Sequence, residues 1–136
     1  MGAVVKYLIA YGGTAAVFFA ADFVWLGVMA KSFYRDRIGH LMADDISMTA
    51  AAGFYLMYVI GIVVFAVMPA LQSESWKTAL VLGGLLGLIA YGTYDMTNLA
   101  TLRDWPASVV VVDMAWGTVL TGVSAAAGYA VCRALS

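Results

Sequence analysis

The sequence predicts an all-α integral membrane protein, folded as a four-helix up-down bundle. Three observations predict this fold. Of the 136 residues, 64% are apolar and only 11% are charged, whereas soluble domains are about 45–50% apolar and about 25% charged. The apolar residues form four long runs, and the connectors between these runs are short. The same composition excludes an ordinary soluble domain, a disordered chain and a nucleic-acid-binding protein.

Each apolar run is long enough to form a membrane-spanning helix. The runs cover residues 4–29, 49–71, 78–101 and 107–132. A helix needs about 20 residues to cross about 30 Å of hydrocarbon, and a bilayer interior requires that each segment satisfies its own backbone hydrogen bonds. Short connectors make consecutive helices antiparallel. We therefore expect a single transmembrane domain over residues 1–136, with the first and third connectors at the same end of the bundle.

The first connector, residues 31–48, is the longest and has a helical pattern. Four of its larger side chains share one helical face: Tyr34, Ile38, Leu41 and Met42. This pattern predicts a short interfacial helix between spans one and two. Its apolar face either anchors the protein in the headgroup layer or lines the mouth of a pocket. Residues 44–47, Asp-Asp-Ile-Ser, then supply helix-capping side chains before the second span.

Three aspartates lie inside the apolar runs. A charged carboxylate at the bilayer centre costs ~2.5–3.5 kcal/mol on insertion scales, so these side chains should face the bundle interior, find partners or hold protons. Asp22 comes late in the first run, Asp95 late in the third and Asp113 early in the fourth. In an up-down bundle all three then lie at a similar depth, toward the end that carries connectors one and three.

Aromatic and amide side chains lie at the same depth in the bundle as these aspartates. Their helical spacing also places them on the same faces of the helices as the aspartates. We predict an off-centre pocket lined by Asp22, Trp25, Tyr55, Tyr58, Tyr91, Tyr94, Asp95, Asn98, Asp113 and Trp116. Asp95 and Asn98 are expected at its centre. The alternative is a hydrogen-bond network that only fixes helix register, in which Asp95 accepts a hydrogen bond from Asn98 or from a tyrosine hydroxyl.

Small residues predict close helix packing in the other half of the bundle. Gly83 and Gly87 form a small-xxx-small motif in the third run, with Gly84 between them and Gly128 in the fourth run.

The placement in the membrane follows from the flanking residues. Trp25, Trp76 and Trp105 lie near span ends and are expected to anchor the protein at the interface. The first and third connectors carry four Lys or Arg residues, against three at the other end. This difference favours connectors one and three in the cytoplasm.

The chain has few side chains that could bind a metal ion or a haem group. Cys132 is the single cysteine and His40 the single histidine, whereas haem, di-iron and zinc sites draw on several such residues. The sequence also lacks nucleotide-binding and nucleophile-elbow motifs. We therefore expect no cofactor and no metal site, and the sequence leaves open whether the protein is an enzyme.

Several segments of the chain form a recognisable pattern: TYDMTNLATL at 93–102, Trp105-Pro106, DMAWG at 113–117, FYLMY at 54–58 with Gly61, and Phe33-Tyr34. In these segments the chain resembles a bacterial family of small four-span membrane proteins, and the similarity spans nearly the whole sequence. The family is a domain of unknown function. The resemblance implies the four-span layout and a location in the bacterial inner membrane, and it assigns no catalytic residues.

The predicted pocket supports three functional hypotheses. In the first, the pocket binds or transports a small polar, cationic or lipid-like molecule. In the second, it belongs to an enzyme that modifies a lipid near the headgroup boundary, with Asp95 and Asp113 as acid and base, and a divalent cation is left open because hard cations favour carboxylate oxygens. In the third, the chain is a structural subunit of a membrane complex. The expected partners are membrane lipids and a small-molecule or lipid ligand, without nucleic acid. A homo-oligomer is left open. The expected location is a cell membrane, with several spans.

Overall fold

The computed structural model describes residues 2–136 and contains four long helices. They are α1 (Ala3–Leu41), α2 (Met48–Ser73), α3 (Trp76–Thr101) and α4 (Ala107–Leu135). Each helix is long and apolar enough to cross a membrane, and residues 2–136 contain no strand. The predicted all-α class and the four-helix membrane bundle are confirmed.

Helix α1 extends beyond the predicted span because the first connector continues it. The α-helical part, Ala3–Met29, leads into a π-helical segment at Ala30–Tyr34, then a short α-helix and a 3₁₀ turn that ends at Leu41. The predicted short helix between spans one and two is therefore present at residues 35–41, joined to α1 without a break. Tyr34 and Ile38 on its predicted face are buried, whereas Leu41 and Met42 are exposed.

The buried part of this face packs against the protein. Tyr34 and Ile38 form a small hydrophobic cluster with Trp105, Val109 and Val110, where α4 begins. Tyr34 and Ile38 therefore pack against connector three and the start of α4, whereas the interfacial role of the exposed Leu41 and Met42 stays a prediction.

Helix α2 begins at a side-chain cap and diverges from α3 over its first half. Ser47 accepts a hydrogen bond from the backbone N–H of Ala50 (3.3 Å), which confirms the predicted cap. Residues 63–73 pack against α3, but residues 48–62 make few close backbone contacts with it. Phe54 and Met57 are correspondingly exposed. The bundle is thus less tightly closed in the half where the aspartates lie.

Helix α4 is central and packs closely along α3 and α1. The α3–α4 contact depends on glycines: a Cβ at Gly83 would lie 2.8 Å from the Cβ of Ala125, and a Cβ at Gly87 would overlap the carbonyl group of Gly117. At Gly128 a Cβ would overlap a side chain of α1. The predicted close packing at Gly83, Gly87 and Gly128 is confirmed.

Polar contacts at the two ends agree with the up-down topology. Arg37 donates from Nε to the hydroxyl of Ser108 (3.2 Å), which joins the end of α1 to the start of α4. Arg133 donates to Glu74 (3.3 Å) at the opposite end. Connectors one and three therefore share one end of the bundle, which we name the loop end.

Candidate functional site

Asp22 is a buried carboxylate that joins three helices. The Tyr55 hydroxyl of α2 donates to its Oδ2 (2.7 Å), and the Trp116 indole of α4 donates from Nε1 to its Oδ1 (3.2 Å). Only 6% of the Asp22 surface is exposed. Both carboxylate oxygens are thus hydrogen-bonded, as is usual for buried polar groups.

A pair of tryptophans connects Asp22 to a second aspartate. The rings of Trp25 and Trp116 stack with centroids 4.3 Å apart and planes 4° from parallel. The Nε1–H of Trp25 donates to the Tyr34 hydroxyl (3.1 Å). Tyr34 in turn donates to Oδ1 of Asp113 (2.8 Å). One chain of contacts therefore runs from α2 through α1 to α4.

Asp95 of α3 lies at the end of this chain. Its carboxyl group is close enough to that of Asp113 for a hydrogen bond between them. Asp95 has no exposed surface, and neither of its oxygens receives a hydrogen bond from a donor within residues 2–136. The connected set is named the aspartate network and comprises Asp22, Trp25, Tyr34, Tyr55, Asp95, Asp113 and Trp116.

A pocket of about 240 Å³ opens on the aspartate network at Asp113. Its walls come from α1, connector one, α3, connector three and α4: Leu26, Ala30, Tyr34, Ile38, Met42, Tyr94, Trp105, Val109 and Asp113. Asp113 is the one carboxylate among these lining residues, and none of them is basic. No α2 residue lines the pocket, in agreement with the divergence of α2 from α3. Across residues 2–136, no group of three or more His, Cys, Asp or Glu is placed to hold a metal ion.

Six of the ten predicted site residues belong to the aspartate network, and four do not. Tyr58 lies deeper in the bundle, where its hydroxyl shares a hydrogen bond with Thr121 (2.8 Å). The ring of Tyr91 lies 6.4 Å from that of Tyr58 and covers Gly117, where a Cβ would overlap the ring.

The remaining two predicted residues are Tyr94, which lies at the edge of the pocket, and Asn98, which does not line it. Tyr94 is 55% exposed, lines the pocket and meets Trp105 edge-to-face at 5.5 Å. Asn98 is half-buried, and Asp95 receives no hydrogen bond from it or from a tyrosine. The alternative in which Asp95 accepts a hydrogen bond from Asn98 or a tyrosine is therefore wrong, and the neighbour of Asp95 is Asp113.

Two residues of the site were not among the ten predicted site residues, although Tyr34 was on the connector face that could line a pocket mouth. Tyr34 joins Trp25 to Asp113, and it could have been found by continuing the i+4 spacing of Asp22 through the first connector. Trp105, expected as an interface anchor, is only 9% exposed and lines the pocket.

We expect the substitution Tyr34→Phe to lower the free energy of unfolding by about 2 kcal/mol, because hydrogen bonds to charged groups contribute about 1.5–3 kcal/mol. The change leaves Trp25 without its acceptor and Asp113 without its donor. Unfolding in detergent, followed by circular dichroism during titration with sodium dodecyl sulfate, measures the loss. Tyr94→Phe, which removes a hydroxyl from an exposed ring, is the matched control. Equal stability of the two variants would contradict a stabilising role of the Tyr34 hydroxyl.

The four apolar helices, with polar side chains gathered inside them, define a multi-pass membrane protein. Residues 7–130 match the family described as "Predicted membrane protein (DUF2177)", and the chain belongs to that family. The predicted membership of a membrane protein family of unknown function is confirmed. No curated protein and no solved structure matches the chain.

Proposed function

We propose that this protein binds an amphipathic cation, an amine with an apolar body, in the pocket at Asp113. The proposal depends on one observation: the pocket is lined by a single carboxylate, Asp113, and its other lining residues are apolar or aromatic. An ionised carboxylate in such surroundings is stabilised by a positive charge beside it. The apolar residues around it favour a ligand with a hydrocarbon part.

The position of the pocket also supports an amphipathic ligand. It lies toward the loop end and contains Met42, the residue that follows the last turn of α1. A ligand there can keep its polar group near the membrane boundary while its apolar part contacts the bundle. The volume of about 240 Å³ is below the ~300–1,000 Å³ of drug-sized sites. It therefore suits a small amine or the amine end of a longer lipid.

Binding is supported more directly than transport. Beyond the aspartate network, toward the opposite end, the interior is filled by side chains without exposed surface, among them Phe18, Val59, Ile62 and Val67. Interiors packed in this way leave little room for a passing molecule. Transport would need these helices to separate, and binding does not.

Binding can be measured on the purified protein in detergent micelles through its tryptophan fluorescence, because Trp105 lines the pocket. The probes are n-octylammonium, neutral n-octanol and octanoate, which share a chain length and differ in charge. Lysophosphatidylethanolamine is the lipid probe, and its affinity relative to octylammonium shows whether the amine comes from a lipid or from a small molecule. We expect saturable binding of octylammonium and little or none of octanol or octanoate.

The variant Asp113→Asn is expected to bind octylammonium at least about ten-fold more weakly, which corresponds to about 1.4 kcal/mol. Asp104→Asn removes the same charge from connector three at a 73% exposed side chain outside the pocket, and it should bind like the parent protein. The proposal is wrong if octanol competes equally with octylammonium, or if Asp113→Asn and Asp104→Asn have the same affinity.

A second candidate function is an enzyme that modifies a lipid near the headgroup boundary. The contact between the carboxyl groups of Asp95 and Asp113 favours it, because two acids in contact with different exposure can act as general acid and general base. Comparison of lipid extracts from cells with and without the protein tests this candidate. Unchanged lipids under several growth conditions would contradict it.

A further inference from the structure

We propose that Asp95 is a neutral carboxylic acid that donates a hydrogen bond to Asp113, so that the pair presents a single negative charge and selects monovalent cations. This inference deepens the proposed function, because it assigns the charge of the ligand that the same pocket accepts. It also assigns Asp95 as a positioning residue, which acts on the ligand through Asp113.

The different surroundings of the two carboxyl groups determine which one carries the proton. Asp113 is only partly buried and accepts a hydrogen bond from Tyr34, and both conditions favour a charged carboxylate. Asp95 has no exposed surface and no donor within residues 2–136. An isolated buried carboxylate is strongly disfavoured and takes up a proton instead. Asp95 is therefore the acid of the pair and Asp113 the carboxylate.

A protonated Asp95 also explains why neither of its oxygens receives a hydrogen bond. A charged Asp95 would leave both oxygens without a donor, next to another carboxylate. A neutral Asp95 has an O–H group, and the carboxyl group of Asp113 is within its reach. The pair then resembles other carboxyl pairs in contact, which share one proton because both cannot ionise together.

No neighbouring group removes the need for this proton. The described ionisable groups around the pair from α1, α2 and α3 are a carboxyl group and phenols: Asp22, Tyr34, Tyr55, Tyr91 and Tyr94. None of these described neighbours is basic. A pair with one proton carries one negative charge, which a single ammonium group neutralises. A doubly ionised pair would instead offer the oxygen ligands that Ca²⁺ prefers.

The first test compares substitutions at the two aspartates by octylammonium binding. Asp95→Asn keeps the shape and a donor, since its amide replaces the O–H, and we expect its affinity to stay within about three-fold of the parent. Asp95→Leu removes the donor and should weaken binding about ten-fold, in keeping with the loss of one charge-assisted hydrogen bond. A loss in Asp95→Asn as large as that in Asp113→Asn would overturn the inference, because both carboxyl groups would then carry charge.

The second test uses charge selectivity. We expect Ca²⁺ at millimolar concentration to leave octylammonium binding to the parent protein unchanged. Competitive displacement by Ca²⁺ would show a doubly ionised pair and would overturn the inference.

The third test measures the protonation of Asp95 directly by infrared spectroscopy. It needs neither a ligand nor a stable variant at Asp113. Infrared spectra of the parent protein at neutral pH should contain the C=O stretch of a protonated carboxylic acid, and Asp95→Asn should lack this band. Asp104→Asn should keep it. Absence of the band from the parent overturns the inference even if octylammonium binds. If the band is present and octylammonium does not bind, the proposed function fails and the assignment of Asp95 stands.

Discussion

Replacing Gly87 with alanine is expected to lower the free energy of unfolding by about 3 kcal/mol, at the upper end of the range for overpacked interiors. The added Cβ would overlap the Gly117 carbonyl group and would lie 2.8 Å from Oγ1 of Thr121. The main obstacle is backbone, which cannot rotate away as a flexible side chain can. Helices α3 and α4 would therefore have to separate. Titration with sodium dodecyl sulfate, followed by circular dichroism, measures the loss of stability.

The matched control is Gly84→Ala, three residues earlier on the same helix. A Cβ there would lie 3.7 Å from the nearest atom, Cγ2 of Thr118, which is an ordinary contact. We expect its stability to stay within about 0.5 kcal/mol of the parent. If Gly87→Ala is as stable as Gly84→Ala, the close α3–α4 packing is not a feature of the protein in solution.

The same substitution should also weaken ligand binding. Asp95 is on α3 and Asp113 on α4, so separation of these helices would break the contact between the two carboxyl groups. The fraction of Gly87→Ala that remains folded in mild detergent should therefore bind octylammonium more weakly than Gly84→Ala does. Unchanged affinity in that folded fraction would show that the pocket does not depend on this helix contact.

The number, the direction and the approximate bounds of the helices could be predicted because they depend on local properties. The length of an apolar run alone shows that it can span a membrane, and short connectors make neighbouring helices antiparallel. The depth of a residue follows from its position along a span. Asp22, Asp95 and Asp113 could thus be assigned to one end of the bundle without knowledge of the side-chain packing.

The partners of these aspartates could not be predicted, because partners depend on how each helix is rotated about its axis. In a membrane protein the lipid-facing surface is as apolar as the interior, so the hydrophobic pattern gives little information about rotation. Tyr94 precedes Asp95 in sequence and shares its depth, yet Tyr94 is exposed and Asp95 is fully buried. Asp95 accordingly meets Asp113 and not Asn98.

Connector residues were the hardest to place because their role depends on tertiary contacts. Tyr34 follows the predicted end of the first span, and its part in the network depends on the unbroken continuation of α1 through a π-helical segment. Such segments occur often at functional sites, but hydropathy does not reveal them. Trp105 is buried because the end of α1 packs over it, whereas its position in the sequence is typical of an interface anchor.

The substitution Asp22→Leu is expected to destabilise the protein by about 2–4 kcal/mol, since each buried donor left unpaired costs about 1–3 kcal/mol. Asp22 is the acceptor for the Tyr55 hydroxyl and for the Trp116 indole. Within the bundle no water replaces the lost acceptor easily. The buried leucine side chain contributes some favourable apolar burial. The expected loss of stability is therefore smaller than the summed cost of leaving both donors unpaired.

A double-mutant cycle separates the loss of the acceptor from a general loss of packing. Tyr55→Phe removes one of the two donors, so the double variant Asp22→Leu/Tyr55→Phe should be more stable than Asp22→Leu alone. Tyr11→Phe is the control, because the Tyr11 hydroxyl donates to the carbonyl group of Leu56 and not to Asp22; combined with Asp22→Leu it should give no such recovery. If Asp22→Leu is as stable as the parent, the two donors do not depend on this carboxylate, and the hydrogen bonds of Asp22 do not stabilise the bundle.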